Sequence, residues 1–443
     1  MTRQTIYALS TVYGKSGVSV IRASGPSAID AVEKLTDIKT NNIKPRYAYF
    51  TNIYDKDKNL LDKALVIYFK APYSFTGEDI VEFHVHGSKA VISSVLDSLY
   101  LLEDFRLAEA GEFSKRAFYN NKMDLTEAEG LADLIDAETS EQQKYALRQM
   151  EGNLSQLYES WRKTLLEVLA HLEAYIDFPD EELPSDIIDN VQNTVFKVKE
   201  DIEKHLSGNN IGERLRDGFR VVILGEPNAG KSSLLNSVAK REAVIVSDIA
   251  GTTRDAIDIH LDINGYPVVF TDTAGLRNTD EQIEQKGIEI AYKKAQNADV
   301  VVCLFDALKN IPQEFENIEK TKKIYVANKV DKLSDEQKKV ISNKGCLLIS
   351  AKHNQGIDAL LQTISSKIKD KFTSASSSLI TRQRYKEALN NTVEFLSCFG
   401  FDKEIELSAE DIRLACREIG KITGRIEVDE ILDKIFGSFC IGK

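Results

Sequence analysis

The string Gly225-Glu226-Pro227-Asn228-Ala229-Gly230-Lys231-Ser232 constrains this chain more than any other feature. It fits the phosphate-loop pattern GxxxxGK[ST], and its flanks supply the context that pattern needs. The apolar, β-branched run Phe219–Leu224 precedes it, and Ser233–Val238 reads as the start of a helix. Strand, glycine loop and helix together aim backbone N–H groups and the positive end of a helix dipole at phosphate. On this reading Asn228, Ala229, Gly230, Lys231, Ser232 and Ser233 surround the phosphates. Lys231 reaches the β and γ oxygens, and Ser232 is a magnesium ligand.

Later segments select the base. Asp272-Thr273-Ala274-Gly275 follows the strand-like run Val268–Thr271, which puts a carboxylate near the magnesium and a glycine near the γ-phosphate. Asn328-Lys329-Val330-Asp331 ends the run Lys323–Ala327. Guanine offers a ring N–H and an exocyclic amine that one carboxylate, Asp331, can accept together. Adenine lacks that pair and would leave the carboxylate unsatisfied, at a cost. Ser350-Ala351-Lys352, after Cys346–Ile349, can offer backbone N–H to the guanine oxygen. Four such segments in order predict an α/β, Ras-like domain that binds GTP.

Hydrolysis is less plainly written. Many such domains place a glutamine after the DTAG glycine to orient the attacking water; here that position is Leu276. The segment Ser247, Asp248, Ile249, Ala250, Gly251, Thr252, Thr253, Arg254, Asp255 is polar and long enough to fold over phosphates. With Asn228 it suits an oxygen cage for a monovalent cation. It suits an ordinary solvated switch loop equally well.

At 443 residues the chain exceeds what one core supports, so two or three domains are expected. A formal net charge of −12 argues against a broadly basic nucleic-acid binder, so any RNA contact must be local or shared with a partner. No apolar run nears the ~18 residues that span a membrane. The N-terminus carries neither a secretory nor a transit pattern. Cys303, Cys346, Cys398, Cys416 and Cys440 show no paired spacing, which points to a reducing, cytoplasmic setting and to no zinc site.

Residues 1–118 mix short strands (Val18–Ile21, Ala64–Phe69, Ile80–Phe83) with helical stretches at Ala28–Leu35 and Ala90–Leu102, an α+β pattern. Glu82, His84 and His86 share one strand face; without further ligands an ordinary half-buried strand is the better reading than a metal site. From Asp124 the period becomes helical. Leu147, Met150, Leu154, Leu157, Trp161, Leu165, Val168, Leu172 and Tyr175 recur at steps of three and four. Helices are expected again at Ile187–Leu206, Arg382–Leu396, Ala409–Ile422 behind a Ser408/Asp411 cap, and Val428–Phe436. The organisation predicted is multidomain. It comprises an α+β domain (1–118), an all-α domain (119–215 and 379–443), and an α/β P-loop domain (216–373) inserted into the latter, with a serine-rich linker after it.

The chain resembles the MnmE (TrmE) family of tRNA-modification GTPases from Thr5 to Lys443. The resemblance is carried by Gly14-Lys-Ser-Gly17-Val18, Arg22-Ala-Ser24-Gly25, Phe75-Thr-Gly-Glu-Asp79, Ala110–Phe118, Asp133–Ala137, Asp177–Glu182, Gly251–Asp255 and Phe439-Cys440-Ile441-Gly442-Lys443. It implies a potassium site at Asn228, Ser247, Ile249 and Thr252, and magnesium ligands Ser232 and Thr253. Glu284 would position the catalytic water; read without the resemblance, it is a solvated carboxylate at a helix start. Ser247 stands where many members carry threonine.

A tetrahydrofolate derivative (5-formyl or 5,10-methylene form) is implied at Arg22, Glu82, Lys122 and Lys443. The resemblance also sets the C-terminal segment against that pocket, where a nearby ammonium could lower the Cys440 thiol pKa and make it a catalytic thiol. Further implications are a homodimer through the N-terminal domain, and an FAD-dependent partner, MnmG (GidA), forming a heterotetramer. The substrate is tRNA, modified at C5 of the wobble uridine with a carboxymethylaminomethyl or aminomethyl group. A stand-alone, RNA-binding regulatory GTPase of ribosome assembly is the alternative, and it would need neither the first 118 residues nor the Cys-Ile-Gly-Lys segment. A folate-dependent transferase with a vestigial nucleotide domain is disfavoured by the intact motifs.

Overall fold

The structure, a computed structural model, describes residues 4–177, 185–207, 211–241, 258–271, 293–373, 379–426 and 429–442. The chain divides into two compact units, Met1–Ala132 with Gly420–Lys443, and Asp133–Ile419.

The first unit is built on a six-stranded sheet ordered β3-β4-β5-β2-β1-β6, with β1 Thr5–Leu9, β2 Ser16–Ser24, β3 Ala48–Tyr54, β4 Leu60–Phe69, β5 Ile80–Gly87 and β6 Phe105–Leu107. All pairings are antiparallel except β1 with β6. Alternation explains the burial: Ala64, Val66 and Tyr68 on β4, and Val81, Phe83 and Val85 on β5, point to one face. The helices Ala28–Leu35 and Lys89–Tyr100 cover that face with Val32, Leu35, Val95 and Leu99. Helices Glu112–Tyr119 and Leu125–Ile135 follow. The helix Asp429–Phe436 joins this unit, with Leu432 and Phe436 packed on Leu125 and Ala128. Gly111, at φ 64, lies under the Phe436 backbone: a Cβ there would sit 2.4 Å from the Phe436 carbonyl oxygen.

The second unit holds another six-stranded sheet, ordered β12-β11-β10-β7-β9-β8. Its strands are β7 Phe219–Leu224, β8 Asp258–Ile263, β9 Tyr266–Thr271, β10 Val300–Asp306, β11 Lys323–Asn328 and β12 Leu347–Leu348. All pairs are parallel but the β8–β9 hairpin. β7 and β10 are apolar almost throughout because both faces of a parallel sheet are covered. Helices Lys231–Arg241 and Ile357–Thr373 pack on one face.

Around it stands a helical body. Asn153–Asp177 buries Leu154, Tyr158, Trp161, Leu165, Val168, Leu169 and Leu172, a stripe at steps of three and four. It packs with Ser185–Ser207, which in turn meets Gln383–Cys398.

Two local expectations are corrected. The stripe from Leu147 to Tyr175 is not one helix: Ser140–Met150 ends, Gly152 takes φ 82, and a new helix starts at Asn153. Leu147 is exposed, and Tyr158 takes the buried place expected of its neighbour Leu157. The helix expected to begin behind Ser408 already runs from Ile405 to Thr423. Ser408 is buried within it and gives its hydroxyl proton to the Gly400 carbonyl, while Asp411 pairs with Lys403. Both polar side chains bond back to the segment just before the helix, in place of capping a helix terminus. Among the described residues no helix is long and apolar enough to cross a membrane.

Candidate functional site

The phosphate loop leaves β7 and enters the helix Lys231–Arg241, as its sequence context requires. Asn228 takes φ 64 and Gly230 φ 99, so the loop turns through left-handed backbone at two of its positions. Gly225 packs under β10, where a Cβ would come 2.3 Å from the Leu304 carbonyl oxygen. Lys231 Nζ donates to the carbonyl oxygens of Gly225 (2.7 Å) and Glu226 (3.2 Å), which places the ammonium over the loop's own curve. Ala229 is buried, while Ser232 and Ser233 face outward at the helix start.

Gly230, Ser233, Asn328, Lys329, Asp331, Lys332, Ser350, Ala351 and Lys352 line one cavity of about 310 Å³. Its walls are tied together by buried side chains. Asn328 Nδ2 donates to the Ala229 carbonyl (2.8 Å), and its Oδ1 accepts from Ala351 N (3.0 Å) and Lys329 N (2.8 Å). One amide therefore fastens the phosphate loop, the NKxD segment and the SAK segment to each other. Ser350 Oγ donates to Asp331 Oδ1 at 2.6 Å and holds that carboxyl below its usual range, so Asp331 is ready to accept from a base. Lys329, at φ 68, reaches back to Asp306 at the end of β10 (2.7 Å). Burial alone would raise the Asp306 pKa, but the Lys329 ammonium outweighs it and the carboxyl is depressed. Lys332 and Asp306 were not expected from sequence: neither belongs to a motif, and only β10 lying beside β11 brings Asp306 to Lys329.

Ser247, Asp248, Ile249, Ala250, Gly251, Thr252, Thr253, Asp272, Thr273, Ala274, Gly275 and Glu284 lie outside the described residues, as does Lys443.

In the first unit, Arg22 and Glu82 are direct cross-strand partners on β2 and β5. The guanidinium donates to Glu82 Oε1 from Nε (2.9 Å) and lies 2.8 Å from it through Nη2. Its carbon lies 5.6 Å from the centre of the Phe75 ring and 5.8 Å from that of Phe113. His84 Nε2 sits 3.1 Å from Glu82 Oε2. Burial would raise the Glu82 carboxyl, yet the His84 ring and the Arg22 charge hold it below its ordinary value. His86 turns away to Asp62 (2.8 Å), so the three-residue strand face does not converge on one point.

Lys122 donates to the Pro72 carbonyl (2.9 Å) and packs beside Gly77. Arg22, Glu82 and Lys122 thus gather about the segment Pro72–Asp79. That segment is fixed from beneath by an ion-pair network. Arg116 contacts Glu78 (2.9 Å) and Glu112 (3.0 Å), Arg106 contacts Glu112 (2.6 Å), and Ser24 Oγ lies 2.7 Å from Thr76 Oγ1. Three of the strings quoted above, around Ser24, Thr76–Glu78 and Glu112–Arg116, therefore carry scaffold.

Cys440 is exposed, but its neighbours are docked. Ile441 bridges Ala110, and Ser10 Oγ donates to the Gly442 carbonyl at 3.0 Å. Gly442, at φ 98, lies on the end of β1: a Cβ there would meet the Leu9 carbonyl oxygen at 2.2 Å. Ala8, next to Leu9, pairs with Arg22.

Two family models match the chain, one described as the N-terminus of the GTP-binding protein TrmE over residues 5–122, the other as the MnmE helical domain over residues 125–440. The chain is 45% identical over 446 residues to the "tRNA modification GTPase MnmE" of Rickettsia akari (strain Hartford), covering 99% of this chain and 100% of the relative. The same identity and coverage hold for the protein of that name from Rickettsia typhi (strain ATCC VR-144 / Wilmington). A solved GTP-binding protein from Sulfolobus solfataricus in complex with GDP is 17% identical, covering 47% of this chain and 67% of that one with a TM-score of 0.26, a likeness too slight to place any residue.

Proposed function

The chain belongs to the MnmE (TrmE) family of tRNA modification GTPases, and from that premise we propose that it is a potassium-activated GTPase modifying C5 of the wobble uridine in certain tRNAs. It binds GTP and acts on tRNA. Its finer chemistry is the addition of a carboxymethylaminomethyl or aminomethyl group, carried out with a flavin-dependent partner of the MnmG (GidA) kind. The observation that supports the nucleotide half is the cavity at the mouth of the phosphate loop. There Asn328 ties three motifs together and Ser350 presets Asp331 for guanine. Ser232 and Thr253 would hold magnesium. Asn228, Ser247, Ile249 and Thr252 would hold potassium. Both ions would offset negative charge on the phosphates. Glu284 would orient water where Leu276 cannot.

The first unit would take the tetrahydrofolate derivative, which supplies a one-carbon unit when bound. A carboxylate kept ionised beside Arg22, whose guanidinium lies against Phe75 and Phe113, suits a flat heterocycle with adjacent N–H donors. Lys122 and Lys443 would meet the folate's carboxylates, and Cys440 would stand at the pocket's edge as the reactive thiol. A homodimer through the N-terminal domain, paired with two copies of the partner, completes the assembly proposed.

Three measurements test this reading. GTP turnover in potassium and in sodium at equal ionic strength should differ by at least about tenfold, modest beside an arginine finger; equal rates sink the cation site. Glu284→Ala should stop turnover with GTP affinity nearly unchanged. Mass spectrometry of wobble uridines from cells lacking the protein should show the C5 group missing, and an unchanged uridine profile rules out the tRNA chemistry.

A further inference from the structure

The β8–β9 hairpin is sequence-adjacent at its open end to the segment read as long enough to fold over the phosphates and to the one read as placing a glycine near the γ-phosphate. Residues 251–257 lead directly into Asp258, and Asp272 directly follows Thr271. Asp258 and Thr271 are paired, and the ladder runs on unbroken to Ile263 and Tyr266. Its far end is a two-residue Asn264-Gly265 turn with φ values of 53 and 88, the left-handed pair that tight hairpins demand. The ladder carries the turn roughly 17 Å from its open end.

That turn rests on a helix of the helical body. The Gly265 carbonyl accepts from Glu141 N at 3.1 Å, in the first turn of Ser140–Met150. Gly265 N is held by Asp262 Oδ1 (2.7 Å), and a Cβ on Gly265 would lie 2.4 Å from Ser140 Oγ. The next residue, Tyr266, is wedged edge-on between Phe219 and Phe372. The same helix touches the chain where it enters and leaves the nucleotide domain. Gln142 Nε2 donates to the Arg216 carbonyl (3.1 Å), just before β7, and the Tyr145 hydroxyl donates to the Leu379 carbonyl, beyond the helix Ile357–Thr373. Tyr145 is itself part of the nucleotide domain's core, with Leu215, Phe219, Tyr266 and Leu379.

We propose that the Asn264–Gly265 turn and the helix Ser140–Met150 form the contact through which nucleotide state reaches the helical body. β9 is clamped to β7 by four paired residues, whereas β8 is the sheet's edge with a single neighbour. Displacement of the segment before β8 therefore reaches the turn as a slide of β8 along β9. The turn cannot absorb that slide, because its carbonyl is committed to Glu141 and its glycine has no room over Ser140. The helix must move with it or release it. Gln142 and Tyr145 then carry the motion to both ends of the inserted domain.

This rests on guanine-nucleotide binding by the cavity described above, and the test separates the two. Hydrogen–deuterium exchange of the full-length chain, loaded with GDP or with a non-hydrolysable GTP analogue, is followed in peptides spanning 138–146 and 262–268. Exchange over 138–146 should differ at least about threefold between the two nucleotides, because the Glu141 amide loses or gains its acceptor. In Gly265→Val the difference should vanish while both nucleotide affinities, measured on the same samples, stay within twofold of the parent. Ser140→Val, which crowds the same contact from the helix side, should do likewise and serves if the first variant does not fold. The pair Gly265→Ala with Ser140→Gly should restore part of the difference. Equal exchange with both nucleotides in the parent, or a difference that survives Gly265→Val and Ser140→Val, overturns the coupling. Failure to bind either nucleotide overturns the cavity reading as well.

Discussion

The two sheets of this protein assemble their candidate sites by opposite means. In the parallel sheet, functional groups stand on the loops leaving strand ends, so each comes as a short contiguous string. In the antiparallel sheet, Arg22 and Glu82 sit within strands, sixty residues apart, and meet because β2 and β5 pair in one register. The first kind of site is written in words of four to eight residues. The second is written in register, and a slip of one residue between β2 and β5 would turn one of the two side chains to the opposite face. A loop site tolerates exchange of its supports more readily than a register site, whose scaffold must fix two strands, a loop and a helix at once.

Arg116→Ala should therefore give the largest effect. It strips a buried guanidinium from Glu78 and Glu112, leaves both carboxylates short of a partner, and should cost about 3–5 kcal/mol of stability. Chemical denaturation would detect it. A loss below about 1 kcal/mol would mean that the register alone holds the cradle. On the loop-built side, Asp331→Asn should cut GTP affinity at least about 100-fold and favour xanthine nucleotides, since the amide presents a donor where guanine needs an acceptor. Undiminished GTP binding would show that Asp331 does not read the base. Thermal stability should barely change, which is where the two sites part company.

Glu82→Gln offers a finer comparison. Tetrahydrofolate binding by calorimetry should weaken about tenfold, the worth of a charged hydrogen bond, with GTP turnover within twofold. If turnover falls in step, the two sites are not separable. The smallest effect lies in the helical body. His205 is buried against Tyr158 and Trp161, and burial lowers its pKa from 6.5 to about 4. The folded value lies below the unfolded one, so the unfolded chain takes up a proton first, and stability falls as pH drops through 6.5 toward 4. Between pH 7 and 5.5 that loss is about 1 kcal/mol. His205→Leu should flatten this part of the pH–stability curve relative to the parent; identical curves would show that the ring is not held neutral.

How much could be read in advance follows the same division. β7, the phosphate loop and its helix stand where the string Phe219–Val238 put them, because strand, glycine turn and helix start are each encoded within a few residues. The Asp306–Lys329 pair was not legible, since it joins the ends of two neighbouring strands and belongs to no motif. Helix limits departed from the local reading at two places. Ser408 reads as a cap by its neighbours, yet it is buried and bonded to Gly400. The stripe Leu147–Tyr175 reads as one helix by its period, yet Gly152 divides it.

The sequence by itself determined the nucleotide chemistry and the alternation of strand and helix, because both depend on residues a few positions apart. Only the tertiary structure decided what Arg22 faces, that Gly442 closes on the end of β1, and that the Asn264–Gly265 turn meets Ser140 and Glu141. Each of those contacts joins residues separated by 60 to more than 400 positions, and local propensity carries no information about partners at that range. What selects them is the packing of whole elements, where a buried donor must find an acceptor and a missing Cβ is the only way to let two backbones meet.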